Sequence, residues 1–384
     1  MFEFPPLTGN YAVGTQLYHW IDDKRIEPHN PTDKRELLVQ IWYPAHITTP
    51  VSTPYAAEIR AEWKEGLLAS GFPARSVDEI DTIVTHAQPK VPLLHKDAPY
   101  PVVLFSHGYV ALRTAYTSYC EELASHGYIV VALGHTYYLQ LAKFPNGRVI
   151  PAAQDNWEQT KLLDEKLSQQ EQELWLSDAQ FVLDKLAALN SDQHDIFYQA
   201  LDLNHIGMFG HSFGGSTAVQ LLRRDDRCKA AVDLDGALFG EDAVTPCKKP
   251  CMVILGQETL DGFAHHNDKE LAKITGFPER LLTIFRTKYL AYIPQLLKFI
   301  GDNAHLIMIP GASHGGFSDW AVLKEMPLYQ NNKNIVDMSR ETGSANGFAM
   351  QKMIMAYVVS FFDKYLKNRD VPILAIKKAD NQGA

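Results

Sequence analysis

The chain has 384 residues, 46% of them hydrophobic, a formal net charge of −9 and no dense Lys/Arg block. That length accommodates one large α/β domain or two smaller ones. The acidity argues against nucleic acid as a partner and reads as solubility. Four cysteines are too few for a disulfide scaffold.

The N-terminus, Met1-Phe2-Glu3-Phe4-Pro5-Pro6, has no basic stretch followed by an apolar one. The expectation is a cytoplasmic protein, with a secreted one whose signal has been removed as the alternative. No run approaches the length of about 18 apolar residues that a spanning helix needs. Strand-like and helix-like runs then alternate, which predicts an α/β fold with a largely parallel sheet. Candidate strands are Arg35–Tyr43, Pro101–Ser106, Tyr128–Leu133, His205–Phe209, Cys228–Leu234, Cys251–Leu255 and His305–Ile309. Those from Pro101 onward are short Val/Ile/Leu-rich runs, as strands covered on both faces should be. Candidate helices are Thr114–His126, Ser168–Leu189, a run from Ser216 to Arg223, and Ala345–Leu366, with Met353–Phe362 read as buried.

One domain, 1–384, is expected. Val51–Lys96 and Thr259–Asn303 stand outside a minimal core and are read as helical excursions. The second holds a strongly apolar segment, Leu281 to Ile300, readable as a helix packed on the core, a cap over a site, or a surface in transient contact with a membrane. Cys120 and Cys228 read as buried small residues. Cys247 and Cys251 are four apart, but nothing nearby completes a zinc site, so two free thiols are expected. His265-His266 is read as loop.

Gly210-His211-Ser212-Phe213-Gly214-Gly215 carries the chemistry. G-x-S-x-G between an apolar strand and a helix is a nucleophile elbow: the serine stands on a strained turn with its hydroxyl outward. The glycines relieve crowding, and the helix aims its N-terminal amides at an oxyanion. The bland alternative is a Gly-rich turn with an idle serine. In α/β-hydrolases the order is Ser, acid, His. His314, in the turn Gly311-Ala312-Ser313-His314-Gly315-Gly316 after a strand, fits the base. Position alone leaves the acid open between Asp235, Asp233, Glu258 and Asp261, all near strand ends where carboxylates face the ligand crevice. The oxyanion amides are expected from Phe213 and from Tyr109, in the turn after Pro101–Ser106.

Further motifs are Gly9-Asn10-Tyr11-Ala12-Val13-Gly14, Trp42-Tyr43-Pro44, Tyr100 through Gly108, Leu123 through Tyr128, Asp233-Leu234-Asp235 and His314 through Asp319. With the elbow, and in this order, they resemble the platelet-activating factor acetylhydrolase family of the plasma and intracellular type II kind. The resemblance implies an α/β-hydrolase fold with Ser212 as nucleophile, Asp235 as acid and His314 as base. It also implies the Tyr109 and Phe213 amides as oxyanion hole and a short-acyl phospholipid ester as substrate. The segment Thr259–Asn303 is longer than the family's counterpart, and the plasma enzyme's secretion signal has no match here. No metal or organic cofactor is expected. Two rival readings stand beside this one: a general esterase of the dienelactone-hydrolase or polyesterase kind, and a lipid-binding protein that has lost turnover. No motif encodes the oligomeric state.

Overall fold

A nine-stranded sheet carries the molecule in a computed structural model that describes residues 2–372 apart from 48, 50, 52, 97, 158–159, 238, 240–247, 276–277, 288–289 and 291–303. In chain order the strands are β1 (Val13–Glu27), β2 (Asn30–Pro44), β3 (Gln88–Pro89), β4 (Tyr100–Ser106), β5 (Ile129–His135), β6 (Leu201–His211), β7 (Cys228–Leu234), β8 (Cys251–Gly256) and β9 (Ala304–Ile309). Their spatial order is β9-β8-β7-β6-β4-β5-β2-β1-β3. From β9 to β5 every neighbour is parallel. The antiparallel hairpin of β1 and β2 is added at one side.

The helices used below are α1 (Arg60–Ala69), α2 (Thr117–Ser125), α3 (Glu165–Ser191), α4 (Phe213–Arg224), α5 (Gln257–His265), α6 (Asp268–Thr275), α7 (279–287) and α8 (Gly347–Lys367). The parallel strands are covered on both faces. Val103 and Phe105 of β4 pack with Tyr119 and Leu123 of α2 and with Ile354 and Val358 of α8. Val102 and Leu104 pack with Trp175 and Val182 of α3 and with Val219 of α4. Each such buried side chain contributes on the order of 2 kcal/mol of transfer free energy.

The central strands lie where the apolar runs place them. β1 has no counterpart in the sequence reading, because only one of its faces is buried. Trp20 points inward at 8% exposure while Ile21 points out at 45%, and Asp22 to Arg25 break the register with β2. Two other expectations change. Met353, expected in a buried run, is 43% exposed, since α8 buries one stripe (Met350, Ile354, Val358, Phe361, Phe362) and wets the other. The excursion Val51–Lys96 is helical only in part: beside α1 it contributes short strands at Thr53–Pro54 and Ile83–Thr85 to a three-stranded sheet.

After β8 the second excursion supplies α5, α6 and α7, with Arg286 donating to Asp268 at 2.7 Å to join the last two. Leu281 and Leu282 are buried, so that end of the apolar segment faces protein. Of its remainder, 288–289 and 291–300 lie outside the described residues, as does Cys247. Cys120, Cys228 and Cys251 are fully buried. Among the described residues no helix is long and apolar enough to cross a membrane.

Candidate active site

Ser212 stands between the last residue of β6 and the first of α4, at φ 57° and ψ −120°. A non-glycine residue there costs on the order of 1–3 kcal/mol and survives only where its surroundings enforce it. The enforcement is visible. A Cβ on Gly210 would fall on the Gly214 carbonyl, and one on Gly214 would fall on the carbonyls of Ser106 and His107. The Ser212 N–H donates to the Leu234 carbonyl at 2.9 Å, tying the turn to β7.

His314 begins a short 3-10 turn after β9. Its Nε2 lies 3.0 Å from Ser212 Oγ and its Nδ1 lies 2.7 Å from Asp235 Oδ2. A carboxylate can only accept, so Nδ1 carries the proton and the Nε2 lone pair faces the serine hydroxyl. Asp235 follows β7, also with positive φ (52°), and its side chain is wholly buried. Its Oδ1 accepts from the Gly256 N–H at 2.7 Å and its Oδ2 from the Thr259 hydroxyl at 3.0 Å. These donors stabilise the carboxylate where burial alone would disfavour it.

The other three acid candidates go elsewhere. Asp233 Oδ1 accepts from the Gly236 N–H at 2.9 Å, bracing the β7 turn. Glu258 accepts from Ser344, through both its N–H and its hydroxyl. Asp261 is exposed on α5 at the cavity wall. Thr259 was missed in the sequence, where one threonine after a strand carries no signal.

His211, the elbow residue before Ser212, bridges two elements. Its Nε2 donates to the His314 carbonyl at 2.9 Å and its Nδ1 accepts from the Tyr116 hydroxyl at 2.8 Å. Burial, then the neighbouring His314, pushes its pKa down to about 3, so the ring is neutral.

The hydroxyl of Ser212 opens on a cavity of about 550 Å³. Tyr109, Phe213 and Phe239 line its core side, and Phe263, Leu271, Leu282 and Phe285 line it from α5, α6 and α7. Tyr109 and Phe213, the two residues whose amides are the expected oxyanion donors, both line this cavity. His265 and His266 also line this cavity; His265, expected in a loop, is the last residue of α5, and His266 caps the helix and opens the loop that follows. Arg340 lies at the rim.

A second Ser-His-Asp chain lies behind the first. His135 Nε2 is 3.0 Å from Ser106 Oγ and its Nδ1 is 2.8 Å from Asp178 Oδ2. All three residues are 0% exposed and none lines the cavity. Hydrogen-bond geometry alone does not distinguish the two chains; access to an outside molecule does. Among the described residues no group of three or more His, Cys, Asp or Glu is placed to hold a metal ion.

The family model for platelet-activating factor acetylhydrolase, isoform II, matches residues 1–371. A probable 1-alkyl-2-acetylglycerophosphocholine esterase of Arthroderma benhamiae is 25% identical over 97% of this chain and 90% of its own length. A platelet-activating factor acetylhydrolase of Cavia porcellus is 28% identical over 70% of this chain and 58% of its own length. The structure of a ferulic acid esterase from Streptomyces cinnamoneus superimposes with a TM-score of 0.73 at 25% identity, covering 97% of this chain and 95% of the other. The chain is an α/β-hydrolase that cleaves carboxylic esters, and it belongs to the platelet-activating factor acetylhydrolase isoform II family.

Proposed function

We propose that Ser212, His314 and Asp235 hydrolyse a short-acyl ester of the glycerophospholipid kind. The reading rests on one observation: an unbroken chain from Asp235 through His314 to Ser212 that ends in an apolar cavity. His314 Nε2 takes the Ser212 proton as Oγ attacks the ester carbonyl. The carbonyl π electrons move to oxygen, and the N–H groups of Tyr109 and Phe213 receive the oxyanion. Collapse expels the alcohol, protonated by His314. Water, deprotonated by the same ring, then attacks the acyl-enzyme and frees the carboxylic acid and Ser212. Asp235 holds the Nδ1–H tautomer and stabilises the imidazolium. Among the described residues α5, α6 and α7 act as the cap, shaping the space beside the serine.

The relatives, an acetylglycerophosphocholine esterase and an acetylhydrolase, favour an acetyl ester of a glycerophosphocholine. A general esterase acting on aryl esters is a second reading, favoured by the five rings of Tyr109, Phe213, Phe239, Phe263 and Phe285 around the cavity and by the ferulic acid esterase neighbour. The test is kcat/KM across esters varied in acyl length and alcohol, including short-acyl phosphatidylcholines and methyl ferulate. Indifference to the phospholipid would move the assignment to the second reading. A fluorophosphonate probe that left Ser212 unlabelled would instead support a binding protein without turnover.

A further inference from the structure

The buried chain of Ser106, His135 and Asp178 is not consumed by the reaction above, yet it ends on the turn that bears one oxyanion donor. His135 is anchored from behind. Asp178 accepts its Nδ1–H while also receiving Arg35, through Nη2 at 2.5 Å and Nε at 3.1 Å, and Arg25 at 2.8 Å. The ring stacks on Trp175 at 3.9 Å. Burial alone would raise the Asp178 carboxyl; the charge of Arg35 and the hydrogen bonds from His135 and Arg35 hold it far below the usual range.

The connection forward runs through His107. The His135 N–H donates to His107 Nε2 at 3.2 Å, which leaves the proton of that ring on Nδ1. That Nδ1–H donates to the Gly108 carbonyl at 2.7 Å. The Gly108 carbonyl and the Tyr109 N–H belong to one planar peptide unit, so fixing the oxygen fixes the direction of the N–H. Gly214, adjoining Phe213, is packed against the Ser106 and His107 carbonyls, so the same turn is in register with the other amide.

We infer that His107, oriented by His135 and Asp178, is a positioning residue that aims the Gly108–Tyr109 peptide at the oxyanion. The inference rests on the Ser212 reading above. The ring touches neither substrate nor serine and acts only through that peptide.

The test compares H107L, which keeps bulk but has no donor, with H107N, whose side-chain amide can replace the Nδ1–H. H107L should lose on the order of a hundredfold in kcat with KM within about twofold, the pattern of a missing oxyanion donor. The rate at which a fluorophosphonate labels Ser212 should fall in parallel, and H107N should recover much of both. S106A, which removes a single atom from His135's partner, gives a smaller loss of the same kind and serves where H107L does not accumulate as folded protein. Wild-type kcat in H107L, or in S106A where it stands in, overturns the inference. So do equal losses in H107L and H107N, which would mark the ring as packing alone. S212A is the control: activity surviving in it defeats the nucleophile assignment itself, whereas an inactive S212A beside an unimpaired H107L defeats only the role of His107.

Discussion

The imidazole of His211 holds the carbonyl of His314, 2.9 Å from its Nε2, so the residue before Ser212 ties down the main chain of the proposed base. Phenylalanine at 211 would keep an aromatic ring and leave both the His314 carbonyl and the Tyr116 hydroxyl without this partner. Each unmade buried hydrogen bond costs about 1–3 kcal/mol. A displaced His314 loses on the order of ten- to a hundredfold in rate. Both a lower thermal midpoint and a lower kcat are expected. Full kcat in a folded H211F would separate the loop from catalysis.

Asp235→Asn should reduce kcat by roughly 10³–10⁴, because an amide presents the wrong donor to His314 and favours the wrong tautomer. Glu258→Gln should stay within a few-fold of wild type, since that carboxylate faces Ser344. Steady-state rates on one short ester decide the matter. A larger loss in the Glu258 variant would move the acid to the loop after β8.

Thr259→Val removes a single donor from Asp235 Oδ2 while preserving shape. A hydrogen bond to a charged group contributes about 1.5–3 kcal/mol, of which a part appears as weaker orientation of His314. The expected result is a roughly tenfold lower kcat, KM unchanged and the fold intact by circular dichroism, in line with the role of outer hydrogen bonds in holding a site. An unaltered kcat would show that the Gly256 N–H suffices.

Some of this was legible because it is local. The elbow needs two glycines beside a serine, and the central strands need apolar runs covered on both faces. β1 was not legible, because a strand near the side of the sheet with one wet face alternates weakly and its charged residues interrupt the pattern. The choice among four carboxylates was not settled by position, since Asp233, Asp235, Glu258 and Asp261 all cluster at strand ends; the tertiary fold tells them apart by bringing His314 Nδ1 to Asp235 Oδ2 at 2.7 Å. The second Ser-His-Asp chain did leave a trace. Asp178 sits within the stripe Trp175, Ala179 and Val182 that α3 turns toward the sheet, and a charge on an apolar helical face demands a buried partner. Naming that partner required β2 and β5 to be placed beside α3.

Asp319 couples stability to pH. It lies five residues after His314, wholly buried, and accepts from the Tyr55 hydroxyl at 3.1 Å and from the Ser118 N–H at 3.3 Å. Burial pushes its pKa from 3.8 up to about 7, against the opposing pull of those hydrogen bonds. Glu121, buried on α2, is pushed to about 7 by the same cause. Between about pH 4 and pH 7 the folded chain therefore binds more protons at these groups than the unfolded chain. The sign follows: their contribution to stability is complete below the unfolded value and is lost as pH rises through the folded one. Asparagine at 319 cannot ionise, and its amide can still pair with Ser118 and Tyr55. Asp319→Asn should therefore flatten the fall in unfolding free energy between pH 4 and pH 7 and lose least, relative to wild type, above pH 7. Urea denaturation at pH 4.5, 6 and 8 measures this. Parallel curves for the two proteins would mean that Asp319 titrates alike in both states, and that its place in the His314 loop is set by hydrogen bonding rather than by its proton.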